Sequence, residues 1–364
     1  MQANSLQSRK ITVLGAGAWG TAVALALSNR HEVLVWGRDS AAMLAMDAAR
    51  ENRHYLPSFA LPPALRVTAD FDAAIAHAAG PDALLIAACP VAGLRPLLER
   101  LKAYPIPNIV WLCKGFEGAT GLLPHQVVRE VLGESVPGAA LSGPSFAQEV
   151  ARGLPCALTV ASDSAALRET VVAAVHGGNI RVYSCDDLIG VEVGGAVKNV
   201  LAIACGVVAG RGLGDNARAA TVTRGFAEMR RYGRALGAAE ATLGGLSGLG
   251  DLVLTCGGPA SRNFAFGAAL GAGVSRPTTA FVIPANAGTH LRMHQVMGPR
   301  VRGDDTVDVT VEGALAAPIL AAAAAARDID LPIATAVADL IAGRVTVDAA
   351  IERLLARPLR SEQA

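Results

Sequence analysis

The sequence predicts an α/β fold: a doubly wound, mostly parallel sheet in the N-terminal part, followed by an all-α C-terminal domain. Three observations predict it. A glycine-rich turn joins a β-branched run to an alanine/leucine helix near the N-terminus. Strand-like and helix-like segments then alternate as far as about Leu188. Beyond that point the strand signals fade into long Ala/Leu/Gly stretches of helical spacing.

Taken in order, Ile11–Leu14 reads as a strand, the Ala/Leu stretch through Ser28 as a helix, and His31–Trp36 as a second strand, a βαβ opening. Further strands are expected at Ala83–Ala88, Asn108–Cys113 and Ala157–Ala161, with helices near Val91–Lys102 and Leu122–Leu132 between them. Parallel strands need such crossover helices, which cover both sheet faces. This divides the chain into a domain over 1–188 and an all-helical domain over 189–364, a single large α/β domain being the simpler alternative. Arg276–Thr306 breaks the helical texture with Pro277, Pro284 and Pro299, and reads as an atypical inserted loop. Its phrases FVIPANAGTH and MGPRVRGDDT resemble peptides translated from palindromic repeat elements. His290 and His294 stand four apart there without the glutamate of a zinc-binding helix, so no metal is expected.

Bulk properties narrow the function class. With 364 residues, 52% of them hydrophobic and 17% charged, the chain can bury two ordinary cores. A net charge of +1 argues against a nucleic-acid partner or an anionic membrane surface, so an anionic ligand must be met by local charges. The longest apolar stretches, Val200–Gly210 and Gly313–Ala326, are too short for a membrane span, and no secretory signal is visible. Six scattered cysteines without a C-x-x-C pair read as buried thiols in a reducing compartment, which points to the cytoplasm.

Gly15-Ala16-Gly17-Ala18-Trp19-Gly20 is G-x-G-x-x-G between a strand and a helix, the context of a Rossmann-type dinucleotide site. Gly15 permits the tight turn, Gly17 lets the backbone approach a pyrophosphate, and Gly20 allows close helix packing over the positive end of the helix dipole. At the end of the second strand, Asp39 suits a ribose 2′-hydroxyl and hence NAD, whereas Arg38 suits a 2′-phosphate and hence NADP. The pair fits use of NADPH or NADH with a lean towards NADP.

Several polar clusters interrupt apolar sequence: Lys114 with Gly115, Gly143-Pro144-Ser145, Gly194 to Asn199, Gly248 to Asp251, and Ser261-Arg262-Asn263. Burying such charges unpaired costs several kcal/mol, so each needs a reason. Lys198, flanked by apolar runs, suits proton transfer because desolvation and nearby cations weaken a lysine's hold on its proton. Asp251 and Ser261 could equally be helix or turn caps.

In wording and order these clusters resemble the bacterial NAD(P)-dependent glycerol-3-phosphate dehydrogenases. The phrases LSGPSFAQEV, GGAVKNVLAI, GLSGLGDLVLTC and SRNFAFG carry the likeness, which spans nearly the whole chain apart from the inserted loop. It implies an oxidoreductase interconverting sn-glycerol 3-phosphate and dihydroxyacetone phosphate with NAD(P)H, a phosphorylated triose as its small-molecule partner, and a homodimer. It also implies roles: Lys198 as acid/base; Lys114, Gly143, Ser145, Asp251, Ser261, Arg262 and Asn263 at the substrate; Trp19, Arg38, Lys114, Ala147, Arg262 and Glu312 at the cofactor. Asn199 and Thr255 are secondary candidates. Ala18 and Thr310 depart from the family's usual serine and valine. A catalytically impaired NAD(P)-binding protein is the rival reading, as is a dehydrogenase of a small hydroxy acid.

Overall fold

The computed structural model describes residues 8–80, 82–274 and 311–357. The expected loop Arg276–Thr306, with Thr310, lies outside them. The chain forms two compact units, one of Met1–Gly195 with Gly237–Asp251, the other of Ala196–Leu236 with Leu252–Ala364.

The first unit contains β1 (Lys10–Leu14), β2 (Glu32–Trp36), β3 (Glu51–Asn52), β4 (Leu56–Ala60), β5 (Arg66–Thr68), β6 (Leu84–Ala87), β7 (Ile109–Trp111), β8 (Gly138–Ser142), β9 (Cys156–Ala161) and β10 (Ile180–Cys185). Eight of them make one sheet in the order β5-β2-β1-β6-β7-β8-β9-β10, and β3 pairs β4 as a separate antiparallel hairpin. From β5 to β8 all pairs are parallel, the strand order of a doubly wound dinucleotide fold. β9 turns back antiparallel to β8, and β10 runs parallel to β9.

Side-chain alternation builds a core on each face. Ile11, Val13, Val33, Val35, Leu84 and Ile86 point to one side, against α1 (Ala18–Leu27), α2 (Ser40–Ala49), α6 (Ala147–Ala151) and α7 (Ala165–Val175). Leu14, Leu34, Leu85, Ile109 and Trp111 point to the other, against α3 (Phe71–His77), α4 (Leu94–Leu101) and α5 (Pro124–Leu132). Strands buried on both faces are near-continuous hydrophobic runs, which is why β1, β2 and β6 were legible. β8 (GAALS) and β10 (IRVYSC) were not expected: the first is built of small residues, the second alternates buried and exposed.

No strand follows β10 among the described residues. Helix α8 (Leu188–Gly210) is followed by α9 (Gly214–Ala235), α10 (Glu240–Leu243), a π-turn at Leu246–Gly250, α11 (Asp251–Cys256), α12 (Arg262–Gly271), α13 (Glu312–Ala325), α14 (Pro332–Ile341) and α15 (Val347–Leu355). At 23 residues α8 is long and apolar enough to cross a membrane, a correction to the expectation that no stretch is. Most of it is buried inside the fold, as in a core helix. Cysteines also depart from expectation: Cys113, Cys205 and Cys256 are buried thiols outside any disulfide, but Cys89, Cys156 and Cys185 are half-buried.

In the second unit α8 and α12 cross with their backbones in contact. A Cβ on Gly206 or Gly210 would stand 2.1 or 2.0 Å from a carbonyl oxygen of α12, and one on Gly267 or Gly271 would stand 2.0 or 2.3 Å from a carbonyl oxygen of α8. Two pairs of glycines spaced by four therefore set the distance between the helices that carry the polar residues described next.

Candidate active site

The fingerprint loop follows β1 at the carboxyl edge of the parallel strands, beside the start of the β6 exit, where doubly wound sheets take their ligands. Each glycine has its own reason. Gly15 has φ +133°, donates its N–H to the Trp36 carbonyl at 2.8 Å, and would place a Cβ 2.4 Å from the Ala88 oxygen. Gly20 packs so closely that its Cβ would lie 2.1 Å from the Gly15 oxygen. At Gly17, the N-cap of α1, a Cβ would meet nothing within 4 Å. That open flank at a helix N-terminus, walled by closely packed backbone, fits a pyrophosphate. Trp19 is half-buried against the core, as is Ala147, the first residue of α6, which packs on α1.

Arg38 is exposed beyond β2. Asp39 caps α2, its Oδ1 accepting from the Ala42 N–H at 3.0 Å. The carboxylate is thus partly committed to the helix, while the guanidinium remains at the surface where a 2′-phosphate would be met.

Lys114 follows β7, and Gly143 follows β8, at the same edge of the sheet. The Lys114 ammonium donates to the Gly143 carbonyl at 3.2 Å and to Asp251 Oδ2 at 2.6 Å. Asp251 is 1% exposed and Lys114 is half-buried, so this is a partly buried, charge-compensated pair whose members lie 137 residues apart. Ser145 Oγ donates to the same Gly143 oxygen at 3.1 Å. Gly143 has φ +144°, and its Cβ would stand 2.9 Å from the Ala157 oxygen. The twin glycines of α8 now have a purpose. A Cβ on Gly194 would strike the Ser247 oxygen at 2.5 Å, and one on Gly195 would press on the Lys114 stem at 3.2 Å.

Glu192, one turn earlier on α8, was not singled out by the sequence. It is 5% exposed and accepts from Trp111 Nε1 at 2.9 Å and from the His125 backbone N–H at 2.8 Å, and it pairs with His125 Nδ1. The only cue was a carboxylate inside an apolar run.

In the second unit Lys198, 7% exposed, donates to Thr255 Oγ1 at 3.0 Å. Asn199 Nδ2 donates to Glu312 Oε2 at 3.3 Å, while its Oδ1 accepts from Asn263 Nδ2 at 3.0 Å. Asn263 Oδ1 in turn accepts from the Gly313 N–H at 2.8 Å. Three expected or secondary residues, Asn199, Asn263 and Glu312, thereby tie α8, α12 and α13 together. Ser261 caps α12, accepting from the Phe264 N–H at 3.3 Å, and Arg262 is exposed at that helix's first turn. A hydroxyl cap, a guanidinium and a helix N-terminus together suit an anion.

Residues 10–168 match the family described as NAD-dependent glycerol-3-phosphate dehydrogenase N-terminus, and residues 187–352 its C-terminus. The chain is 52% identical to the glycerol-3-phosphate dehydrogenase [NAD(P)+] of Herminiimonas arsenicoxydans over 354 residues, 97% of this chain and 99% of that one. It is likewise 52% identical to the enzyme of that name from Paucimonas lemoignei, over 97% of this chain and 98% of the relative. A solved structure of glycerol-3-phosphate dehydrogenase from Coxiella burnetii superposes with a TM-score of 0.84 at 35% identity, covering 96% of this chain and 99% of that one.

Proposed function

The chain belongs to the NAD-dependent glycerol-3-phosphate dehydrogenase family, and from that premise we propose how its residues divide the reaction. It is an NAD(P)-dependent oxidoreductase that interconverts sn-glycerol 3-phosphate and dihydroxyacetone phosphate. The rival reading of an impaired binding protein is set aside: its near-full-length relatives are named dehydrogenases, and Lys114, Lys198 and Asp251 are all present.

The observation that carries the site assignment is the Lys114–Asp251 pair, its carboxylate buried, at the carboxyl edge of the parallel strands. Fixed by Asp251 and the Gly143 oxygen, Lys114 is a preorganised cation that orients the substrate beside the nicotinamide. When bound, the nicotinamide supplies the hydride that reduces the C2 carbonyl. Lys198, held by Thr255, donates the proton that the substrate oxygen needs as negative charge builds on it, and recovers it in the reverse direction. Arg262 grips the phosphate, with Ser261 and Asn263 as further donors. The Asn263 oxygen is committed to Gly313, so the contact comes from its amide N–H. Binding energy at the phosphate, remote from C2, serves to orient the reacting carbon. Gly143 and Ser145 complete the substrate contacts. Gly15, Gly17, Trp19, Gly20, Arg38, Ala147, Arg262 and Glu312 serve the cofactor together with Lys114.

On this reading 1–188 is the dinucleotide-binding domain and 189–364 the helical substrate and catalytic domain, with single residues of each serving the other's ligand. We further place the enzyme in the cytoplasm as a homodimer supplying glycerol 3-phosphate for glycerophospholipid synthesis, on the strength of the family likeness. The test is NADPH and NADH oxidation with dihydroxyacetone phosphate. Lys198→Ala is expected to lower kcat by about 10²- to 10⁴-fold, the usual contribution of a general acid, while NADPH still binds. A variant that keeps wild-type turnover removes Lys198 from the chemistry.

A further inference from the structure

Asn52 lies in β3, within the polar stretch Arg50–Tyr55, and nothing in its sequence surroundings marks it. Yet it is 5% exposed and all its hydrogen-bonding atoms are engaged. Its Nδ2 donates to the Ala16 carbonyl and to Thr21 Oγ1, both at 2.8 Å, and its Oδ1 accepts from the Tyr55 N–H at 3.2 Å. The amide's orientation is settled by chemistry, because a carbonyl oxygen can only accept and so must face the NH₂.

The two Nδ2 contacts bracket Gly17–Gly20. Ala16 precedes the N-cap Gly17, and Thr21 is in the first turn of α1, 1% exposed. A trans peptide carries its C=O and N–H on opposite sides. Drawing the Ala16 carbonyl towards Asn52 therefore turns the Gly17 N–H away from the hairpin. Gly17 is the glycine whose Cβ position is open, so the bond from Asn52 governs a backbone donor beside the space left for an anion.

We propose that Asn52 is a positioning residue for dinucleotide binding: by holding the Ala16–Gly17 peptide and the start of α1, it sets the angle at which the fingerprint N–H groups meet the pyrophosphate. This rests on the reading that Gly15–Gly20 binds the cofactor. Asn52 touches neither substrate nor reacting atoms; its effect passes through the loop. An aspartate of the same shape would lose the donors, face the Ala16 oxygen with a carboxylate oxygen, and add negative charge near a pyrophosphate.

The experiment titrates NADPH into the full-length wild type, Asn52→Ala and Asn52→Asp by nicotinamide fluorescence, and follows with steady-state kinetics. The expected result is an NADPH Kd raised about 10-fold in Asn52→Ala and further in Asn52→Asp. The KM for NADPH rises in step, while kcat at saturating NADPH and the KM for dihydroxyacetone phosphate stay within about twofold. A folding defect would instead lower the active fraction, and hence kcat, without moving the Kd of the folded remainder. Should Asn52→Asp fail to fold, Asn52→Ala carries the same test. An NADPH Kd within about twofold of wild type in a folded variant overturns the proposal alone. A wild type that does not bind NADPH overturns the fingerprint reading as well.

Discussion

The three fingerprint glycines share a motif but meet different surroundings, and this separates their roles. Gly17→Ala puts a methyl group where the protein has nothing within 4 Å, so stability should hold while the NADPH Kd rises. Gly20→Ala puts one 2.1 Å from the Gly15 oxygen, which must move, and should cost about 1–3 kcal/mol of stability even without ligand. Thermal melts beside NADPH titrations check both; a Gly17→Ala protein that binds NADPH normally would remove that glycine from the site. Lys114 and Asp251 were each visible as polar residues in apolar sequence, but their ion pair was not. Asp251 begins α11, but its carboxylate accepts from the Lys114 ammonium.

Between elements, buried polar groups act across the chain where local capping fails. Leu331 precedes α14 and has no side-chain oxygen with which to cap it; Glu228 on α9 supplies the acceptors, at 2.7 Å to the Ile333 N–H and 3.0 Å to the Ala334 N–H. Burial pushes its carboxyl up from the ordinary 4.5 to about 7, outweighing those two bonds. The folded chain therefore holds this proton more tightly than the unfolded chain. The resulting stability is full below about pH 4.5 and is lost as pH rises through about 7, worth about 3 kcal/mol over that window. Unfolding by urea at several pH values should show this slope in the wild type, and Glu228→Gln should remove it. Equal slopes in the two proteins would count against the burial of this charge. The α8–α12 crossing makes a separate prediction: Gly267→Ala, whose Cβ would stand 2.0 Å from the Ile203 oxygen, should lower Tm by several degrees by forcing the helices apart.

At the scale of the whole molecule, mass action links ligand to stability. NADPH at about 100 times its Kd should add about 2.7 kcal/mol, read as a rise in Tm that Gly17→Ala diminishes. If residues 276–306 form the inserted loop that the sequence predicts, deleting them should leave kcat and both KM values within about twofold, because loop length adds only about 0.6 kcal/mol of closure entropy per doubling. A large change in either direction would show that this segment bears on the reaction.

The sequence alone determined what is written in short stretches: the strand–glycine–helix unit at Ile11–Leu27, the alternation that makes a doubly wound sheet, the helical texture after Leu188, and the lysines set in apolar runs. These are local because hydrophobic period and backbone freedom are properties of neighbouring residues. Only the tertiary structure decided the antiparallel turn of β9, the strand at β8, and the partners of Lys114, Glu192, Glu228 and Asn52. A buried polar group must find its complement wherever topology brings one, and separations of 137, 81, 105 and 36 residues leave no trace in periodicity or spacing.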